Sequence, residues 1–356
     1  MIELSKQQKE LLNIVQWSFP VCERPFEAIG EKMGISEETV IEELRTVKEA
    51  NILRQLSAIF DTRALGYQSA LNAAKYDEDQ IEQAAKIINE HPGVSHNYKR
   101  NNAYNLWYTI AVPPSENIES HVALLHNATK SKTTRQLPTL KLYKIGVKLD
   151  MTGETKPDSK SEVLAHEKPE RKSVMDVPSF SEKELAIIRE LQEDLPLVPR
   201  PFAAMAFEAQ CGEEEILNAI EEFKEKKYMR RFAAVMNHRH AGYKANAMGV
   251  WAVPEGDCEE VGPQMAGFSQ VSHCYKRPTY SDWPYTIFTM VHGKNAGECE
   301  QTIEAIANET GIKEYELLWS IKEYKKVRVR YFTPEWDAYI AKYNEELTNV
   351  QALPKD

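Results

Sequence analysis

A short stretch near residue 96 concentrates side chains that can hold charge and move protons. Ser95-His96-Asn97-Tyr98-Lys99-Arg100 reads as a β-strand, and strand alternation puts His96, Tyr98 and Arg100 on one face. The same set returns as His273, Tyr275 and Arg277. A single row of this kind is commonly a solvated sheet edge. Two rows at matched positions point instead to strands facing each other over a shared cleft, with two imidazoles, two phenols and two guanidiniums. Flat aromatics at Tyr104, Trp107, Tyr285 and Phe288 would wall that cleft, and Arg54 and Arg230 repeat nearby. The closing strand of each half is basic, with Lys141, Lys144 and Lys148 answered by Lys325, Lys326, Arg328 and Arg330. A guanidinium can hold a carboxylate through two parallel hydrogen bonds while rings contact a π-face. The set suits a large, planar, polyanionic ligand; single-stranded nucleic acid fits the composition nearly as well.

These rows belong to a longer repeat. Arg24-Pro25-Phe26 recurs as Arg200-Pro201-Phe202, Leu53-Arg54 as Met229-Arg230, and Gly66-Tyr67 as Gly242-Tyr243, all at one offset. Val94 to Arg100 matches Val271 to Arg277 with a single residue inserted before it, and Tyr104-Asn105-Leu106-Trp107 aligns with Tyr285-Thr286-Ile287-Phe288. Each half closes on a Tyr-Lys pair, Tyr143-Lys144 and Tyr324-Lys325. The period is far too long for a solenoid and reads as a tandem fusion of two homologous modules. Residues 151–178 between them contain no Phe, Trp or Tyr and are rich in Lys, Glu, Ser and Pro, the composition of a flexible tether. Such a tether either holds two subunit-like modules at high effective concentration or is a passive trace of fusion.

Each module resolves into the same series of elements. Ser5 opens a helix with Gln8 three residues on, a capping-box spacing, and Leu11, Leu12 and Val15 give it an apolar face. A short helix follows over 25–33, and Ser36 caps a third carrying Val40, Ile41, Leu44 and Val47 on one stripe. Three short helices with a tight turn predict a helix-turn-helix, followed by a strand over 53–60. Then come strand 67–76, helix 79–90, strands 94–100 and 104–112, helix 116–129 and strand 135–149, the order of a ferredoxin-like βαββαβ unit. The second module repeats this, with strands at 229–236, 243–253, 270–276, 285–292 and 315–332. The expected architecture is α+β: a tandem repeat of winged helix-turn-helix plus ferredoxin-like modules. The expected domains are 1–60, 61–150, the linker 151–178, 179–236, 237–335 and a C-terminal tail 336–356.

Several function classes are disfavoured. The chain has 356 residues, 42% hydrophobic and 28% charged, a globular composition with a net charge of −10. The opening MIELSKQQKE has no basic segment leading into an apolar run, and no apolar run reaches the length of a membrane span. Five cysteines without a CxxC fit a reducing cytoplasm rather than a disulfide framework or zinc ribbon. The helix that would enter a DNA groove is acidic in both copies. Glu37, Glu38, Glu42 and Glu43 outweigh Arg45 and Lys48; Glu213, Glu214, Glu215, Glu221, Glu222 and Glu225 outweigh Lys224 and Lys226. Phosphates spaced roughly every 1.7 Å along a duplex repel such helices, so packing rather than DNA binding is expected of them. His238-Arg239-His240 has strand spacing for a metal but no evident third ligand, His91 before Pro92-Gly93 reads as a turn residue, and Cys274 as a packing thiol.

A helix-turn-helix joined to a ferredoxin-like domain resembles the Lrp/AsnC regulators. The strings HPGVSHNYKRNNAYNLWYTIAVPP and VSHCYKRPTYSDWPYTIF, with YKIGVKLDM and EYKKVRVRYF, are similar to the paired subunits of siroheme decarboxylases fused in one chain. The resemblance covers all but the tether. It implies removal of carboxyl groups from two acetate side chains of siroheme, giving 12,18-didecarboxysiroheme and two CO₂ on a route to haem or to a specialised nitrite-reductase haem. It also implies that the helix-turn-helix serves structure rather than DNA. A tetrapyrrole-responsive Lrp/AsnC-type transcriptional regulator is the alternative.

The chemistry implied suits these residues. Losing CO₂ from a ring-bound acetate leaves an electron pair for the macrocycle to absorb, and the new methyl needs a proton. An imidazole titrating near 6.5 is suited to donate it, which assigns His96 and His273 as catalytic, supported by Tyr98 and Tyr275. Axial contact with the siroheme iron is the other role open to these imidazoles. Arg54, Arg100, Trp107, Lys148, Arg230, Arg277, Arg328 and Arg330 form the expected substrate-binding set. The reacting acetates should sit nearer His and aromatics than Arg, because tight binding of the leaving carboxylate lowers the ground state. The iron arrives with the substrate, so no further cofactor or metal is expected. Differences such as Asn101-Asn102 against Pro278-Thr279 suggest unequal halves, and a homodimer is expected.

Overall fold

A computed structural model describes residues 4–145, 177–236 and 245–353. Lys148, most of the expected tether and His238-Arg239-His240 lie outside the described residues. The first module runs α1 (Lys6–Trp17), α2 (Pro25–Met33), α3 (Glu37–Glu49), β1 (Leu53–Phe60), β2 (Gln68–Lys75), α4 (Ile81–Glu90), β3 (Val94–Arg100), β4 (Leu106–Val112), α5 (Ile118–Thr129), β5 (Thr133–Pro138) and β6 (Lys141–Ile145). The second runs α6 (Glu182–Leu191), α7 (Pro201–Glu208), α8 (Glu213–Glu225), β7 (Met229–Met236), β8 (Ala245–Trp251), α9 (Cys258–Ala266), β9 (Val271–Lys276), β10 (Ile287–Gly293), α10 (Ala296–Thr310), β11 (Tyr315–Lys326) and α11 (Pro334–Asn349). These elements sort by type rather than by module. One compact unit draws on Met1–Tyr67, Pro169–His240 and Arg330–Pro334, the other on Gln68–Lys168, Ala241–Val329 and Glu335–Asp356.

The first unit holds both helix-turn-helix segments. Ser5 and Gln8 close a reciprocal capping box on α1, as Ser181 and Glu184 do on α6, satisfying amides that a helix start leaves open. The repeated Arg-Pro-Phe has a structural reason. Pro25 and Pro201 start α2 and α7 where no amide partner is needed, while Arg24 and Arg200 pair with Glu37 and Glu213 at the start of the next helix. Phe26 and Phe202 are fully buried, and Phe19 and Phe202 each pack on Phe232 at 5.5 Å. The strands after the two segments, β1 and β7, pair with each other antiparallel, Leu56 opposite Ala234.

In the second unit the two ferredoxin-like halves share one nine-stranded sheet, ordered β5-β2-β4-β3-β11-β8-β10-β9-β6. The single strand expected over 135–149 is instead two segments with different neighbours: β5 pairs with β2 of its own half, and β6 with β9 of the other. β11 behaves alike within one strand, its first part pairing with β8 and its last part with β3. Because β5 and β6 are successive stretches of chain, the sheet returns on itself. Counting them as one position leaves eight, and β3 and β9 then stand opposite each other.

The faces of this sheet differ. Outward residues such as Ala247, Trp251, Val271, Cys274, Ile287 and Val291 pack with Cys258, Met265, Cys299 and Ile303 of α9 and α10. Inward residues form a second core of Tyr104, Trp107, Met248, Val250, Trp283, Tyr285, Phe288 and Leu318, with Trp107 and Trp283 rings 5.4 Å apart. An eight-strand ring is about wide enough for such a filling or for one small ligand. Residues 336–356, expected as a tail, include most of α11, whose Trp336 is buried against His91 and His121. His91, expected at a turn, does begin the turn between α4 and β3, with Val94 N–H donating to its carbonyl at 3.1 Å, and it is completely buried.

Candidate functional site

The geometry of the two rows begins with a bulge. In β3, Val94 lies opposite Ile110 and His96 opposite Thr109, so Ser95 is an extra residue; in β9, Ser272 is extra between Val271 and His273. A bulge breaks the alternation and re-aims a side chain. Here it lets neighbours in sequence meet: Ser95 Oγ lies 3.0 Å from His96 Nδ1, and Ser272 Oγ 2.8 Å from His273 Nδ1. Each imidazole thus engages the protein through Nδ1.

Beyond the bulge the expected face is present in both copies. His96 stacks against Tyr98 with centroids 6.1 Å apart, and His273 against Tyr275 at 5.9 Å. Arg100 lies 5.6 Å over Tyr98, and Arg277 5.0 Å over Tyr275 and 5.4 Å over Phe288. Tyr98 sits opposite Trp107, and Tyr275 opposite Phe288; directly paired residues share a face, so both rows point to the inner side of the sheet. His96, Tyr98, His273 and Tyr275 are half-buried, whereas both guanidiniums are buried.

The arginines are tied down by the protein. Arg100 Nη1 donates to the Leu318 carbonyl at 2.9 Å, and Arg277 Nη1 to the Leu137 carbonyl, each reaching a strand of the other half. Burial brings the Arg100 guanidinium down to about 10, which leaves it charged at neutral pH. The closing lysines behave similarly. Lys144 Nζ donates to the Phe268 carbonyl at 2.8 Å and Lys325 Nζ to the Asn89 carbonyl at 2.7 Å, with burial lowering both.

Of the other expected site residues, the aromatics are buried beside these rows. Trp107 is 1% exposed, its Nε1 donating to the Tyr104 carbonyl, and Tyr104, Tyr285 and Phe288 share the same core. These large rings fill the interior where inward side chains converge, beside the His-Tyr-Arg rows. Arg54, Arg230 and Arg330 belong to the helical unit; Arg230 is paired with Asp61 at 2.7 Å and Arg330 with Glu193. Arg328 follows β11 in the other unit. Cys274 is buried with its Sγ 3.6 Å from the Gly262 carbonyl and its thiol pushed up by burial, as suits packing. Among the described residues, no group of three or more His, Cys, Asp or Glu could hold a metal.

Ser95, Ser272, His292 and His121 carry contacts that the sequence does not announce. Ser Oγ of residue 272 also lies 2.7 Å from His292 Nε2. His91 Nε2 lies 2.9 Å from His121 Nδ1, while Gly93 N–H donates to His91 Nδ1 at 3.0 Å. The recurring Val-Ser-His was the available signal for the serines; the His contacts are long-range and left none.

Comparison with known proteins accords with this geometry. The AsnC-like ligand binding domain matches residues 64–144 and 240–325, and the siroheme decarboxylase NirDL-like HTH domain matches 8–54 and 184–230. A siroheme decarboxylase of Hydrogenobacter thermophilus is 39% identical over 336 residues, 93% of this chain and 96% of that protein. The chain belongs to the siroheme decarboxylase family. Separate subunits of such enzymes also match part of the chain. A beta subunit from Methanosarcina barkeri is 41% identical over 41% of this chain and 97% of its own length, and an alpha subunit from Desulfovibrio desulfuricans is 33% identical over 44% and 89%. The crystal structure of the siroheme decarboxylase NirDL superposes with a TM-score of 0.77 at 34% identity, covering 97% of this chain and all of that one (100%). The same enzyme in co-complex with an iron-uroporphyrin III analogue gives 0.76 at 33% identity, with 97% and 100% coverage. No helix among the described residues is long and apolar enough to cross a membrane.

Proposed function

We infer that this chain is a siroheme decarboxylase, removing CO₂ from two acetate side chains to give 12,18-didecarboxysiroheme. The observation that carries the reading is the full-length match to the siroheme decarboxylase fold, together with inward His-Tyr-Arg rows on opposed strands. In each decarboxylation the bond between methylene and carboxylate breaks, its electron pair is delocalised into the macrocycle, and a proton completes the methyl. His96 and His273 deliver that proton from Nε2, because Nδ1 is held by the bulge serine. Tyr98 and Tyr275 stack on the imidazoles and fix the ring planes. Arg100 and Arg277 hold carboxylates that remain, through guanidinium nitrogens other than those bonded to Leu318 and Leu137. In this reading the macrocycle is the electron sink and its iron comes with the substrate, so no resident cofactor takes part.

The regulator alternative is disfavoured by the recognition helices. Glu37 and Glu213 are committed to Arg24 and Arg200, and the remaining glutamates keep α3 and α8 acidic. A homodimer of the fused chain is proposed as the working assembly. Anaerobic incubation with siroheme, followed by mass-spectrometric counting of carboxyl groups, tests the activity. Loss of two CO₂ per tetrapyrrole is expected; a bound tetrapyrrole with all its carboxyl groups intact would refute the assignment.

A further inference from the structure

The two proton donors are supplied differently. Ser272 is fully buried, and its Oγ sits between His273 Nδ1 at 2.8 Å and His292 Nε2 at 2.7 Å, with a longer contact to the Met290 carbonyl at 3.3 Å. The two short contacts form a continuous line from His292 through a hydroxyl to His273. His292 lies on the inner face of β10, in line with Phe288 and Met290, and opposite Asn246 on β8. In the first half the equivalent residue is Ala111. The equivalence is fixed by the backbone: Ala111 N–H donates to the Gly93 carbonyl at 2.9 Å, just as His292 N–H donates to Gln270 at 3.0 Å. The Ser95–His96 pair therefore has alanine where the Ser272–His273 pair has a second imidazole.

We propose that His292 is a positioning and proton-supplying residue for His273, acting through Ser272. The inference rests on the decarboxylase reading above. As CO₂ leaves, the carbon that held it takes the Nε2 proton of His273. His273 Nδ1 takes the Ser272 hydroxyl proton, and Ser272 takes the Nε2 proton of a protonated His292. Charge balances: the substrate loses one carboxylate charge as His292 becomes neutral, and His292, half-buried, recovers its proton from solvent. The hydroxyl is both acceptor and donor, as a serine can be. His273 thus ends the step neutral, with its proton on Nδ1, and the positive charge given up is that of His292 rather than its own.

His292→Gln separates relay from packing, because the amide can still donate to Ser272 but cannot pass a proton on. With siroheme binding confirmed by absorbance titration, His292→Gln and Ser272→Ala should each slow one of the two CO₂ losses about 10- to 100-fold, within the range of general acid catalysis. A monodecarboxylated tetrapyrrole then accumulates in single-turnover mass spectra. Ser272→Ala removes only a hydroxyl, so it keeps the test valid should the His292 variant fold poorly. Added imidazole should restore the slow step in His292→Ala. Wild-type timing of both losses in either His292→Gln or Ser272→Ala would overturn the relay. Wild-type protein that releases no CO₂ would instead defeat the decarboxylase reading itself.

Discussion

The two ferredoxin-like halves repeat the same row of chemical groups on opposed strands yet surround it with different supports. In the first half, a buried histidine pair lies under α11. Gly93 N–H donates to His91 Nδ1, so His91 Nε2–H donates to His121 Nδ1, leaving His121 Nε2–H for Glu116 at 3.1 Å. In the second half, Phe268 and Cys299 hold the corresponding places. Phe268 matches His91 by the repeat, and Cys299 matches His121 because each follows the asparagine that caps its helix, Asn295 or Asn117, by the same spacing. That half has its extra imidazole beside Ser272, at His292. Symmetry is therefore kept in the His-Tyr-Arg rows and given up in what lies behind them.

The largest expected effect tests whether both rows work. His96→Ala and His273→Ala, taken singly, should each slow one CO₂ loss about 10²- to 10⁴-fold and leave a singly decarboxylated product. Loss of both CO₂ at the wild-type rate in one variant and of neither in the other would show that one histidine serves both acetates. Trp107→Ala removes a ring from the inner core that both halves share, and should destabilise the fold by about 3–5 kcal/mol in chemical denaturation. A change confined to siroheme affinity would instead support a ligand-wall role for that residue. Gly93→Ala places a Cβ 2.0 Å from the Ala111 carbonyl and 2.7 Å from the Trp336 ring, for a loss of about 1–3 kcal/mol. Its counterpart Gln270→Ala should fall within about 0.5 kcal/mol of wild type.

A pH series sharpens the contrast further. Burial, then the nearby charges of His121 and Lys325, hold the His91 imidazole well below its ordinary value. The native state keeps His91 neutral while the unfolded chain takes up a proton below about pH 6.5. Its effect on stability is thus absent above that value, and stability falls as the pH drops from there toward the depressed native value. His91→Phe, copying Phe268, should flatten that part of the denaturation-midpoint curve. An unchanged slope would remove His91 as its source.

Local signals made much of this legible in advance. Capping serines, apolar stripes and the Arg-Pro-Phe repeat marked the helices near their observed bounds, and period-two alternation marked the His-Tyr-Arg face. What escaped was non-local. Nothing near residues 139–140 says that the chain there leaves β2 for β9, because the partner strand lies in the other half. The bulges at Ser95 and Ser272 are invisible to a strict alternation, although they bring serine and histidine together. That Trp107 and Phe288 meet in one interior is also non-local, because only the return of the sheet creates it. The expected tail carries no local sign of docking, because its buried Trp336 needs His91 and Gly93 beneath it.

The most direct test of the account is the double variant His96→Ala/His273→Ala given siroheme without oxygen, with binding followed by absorbance and carboxyl groups counted by mass. The expected result is a stable complex whose tetrapyrrole keeps both reacting acetates over many wild-type turnover times. Release of two CO₂ at the wild-type rate would contradict it.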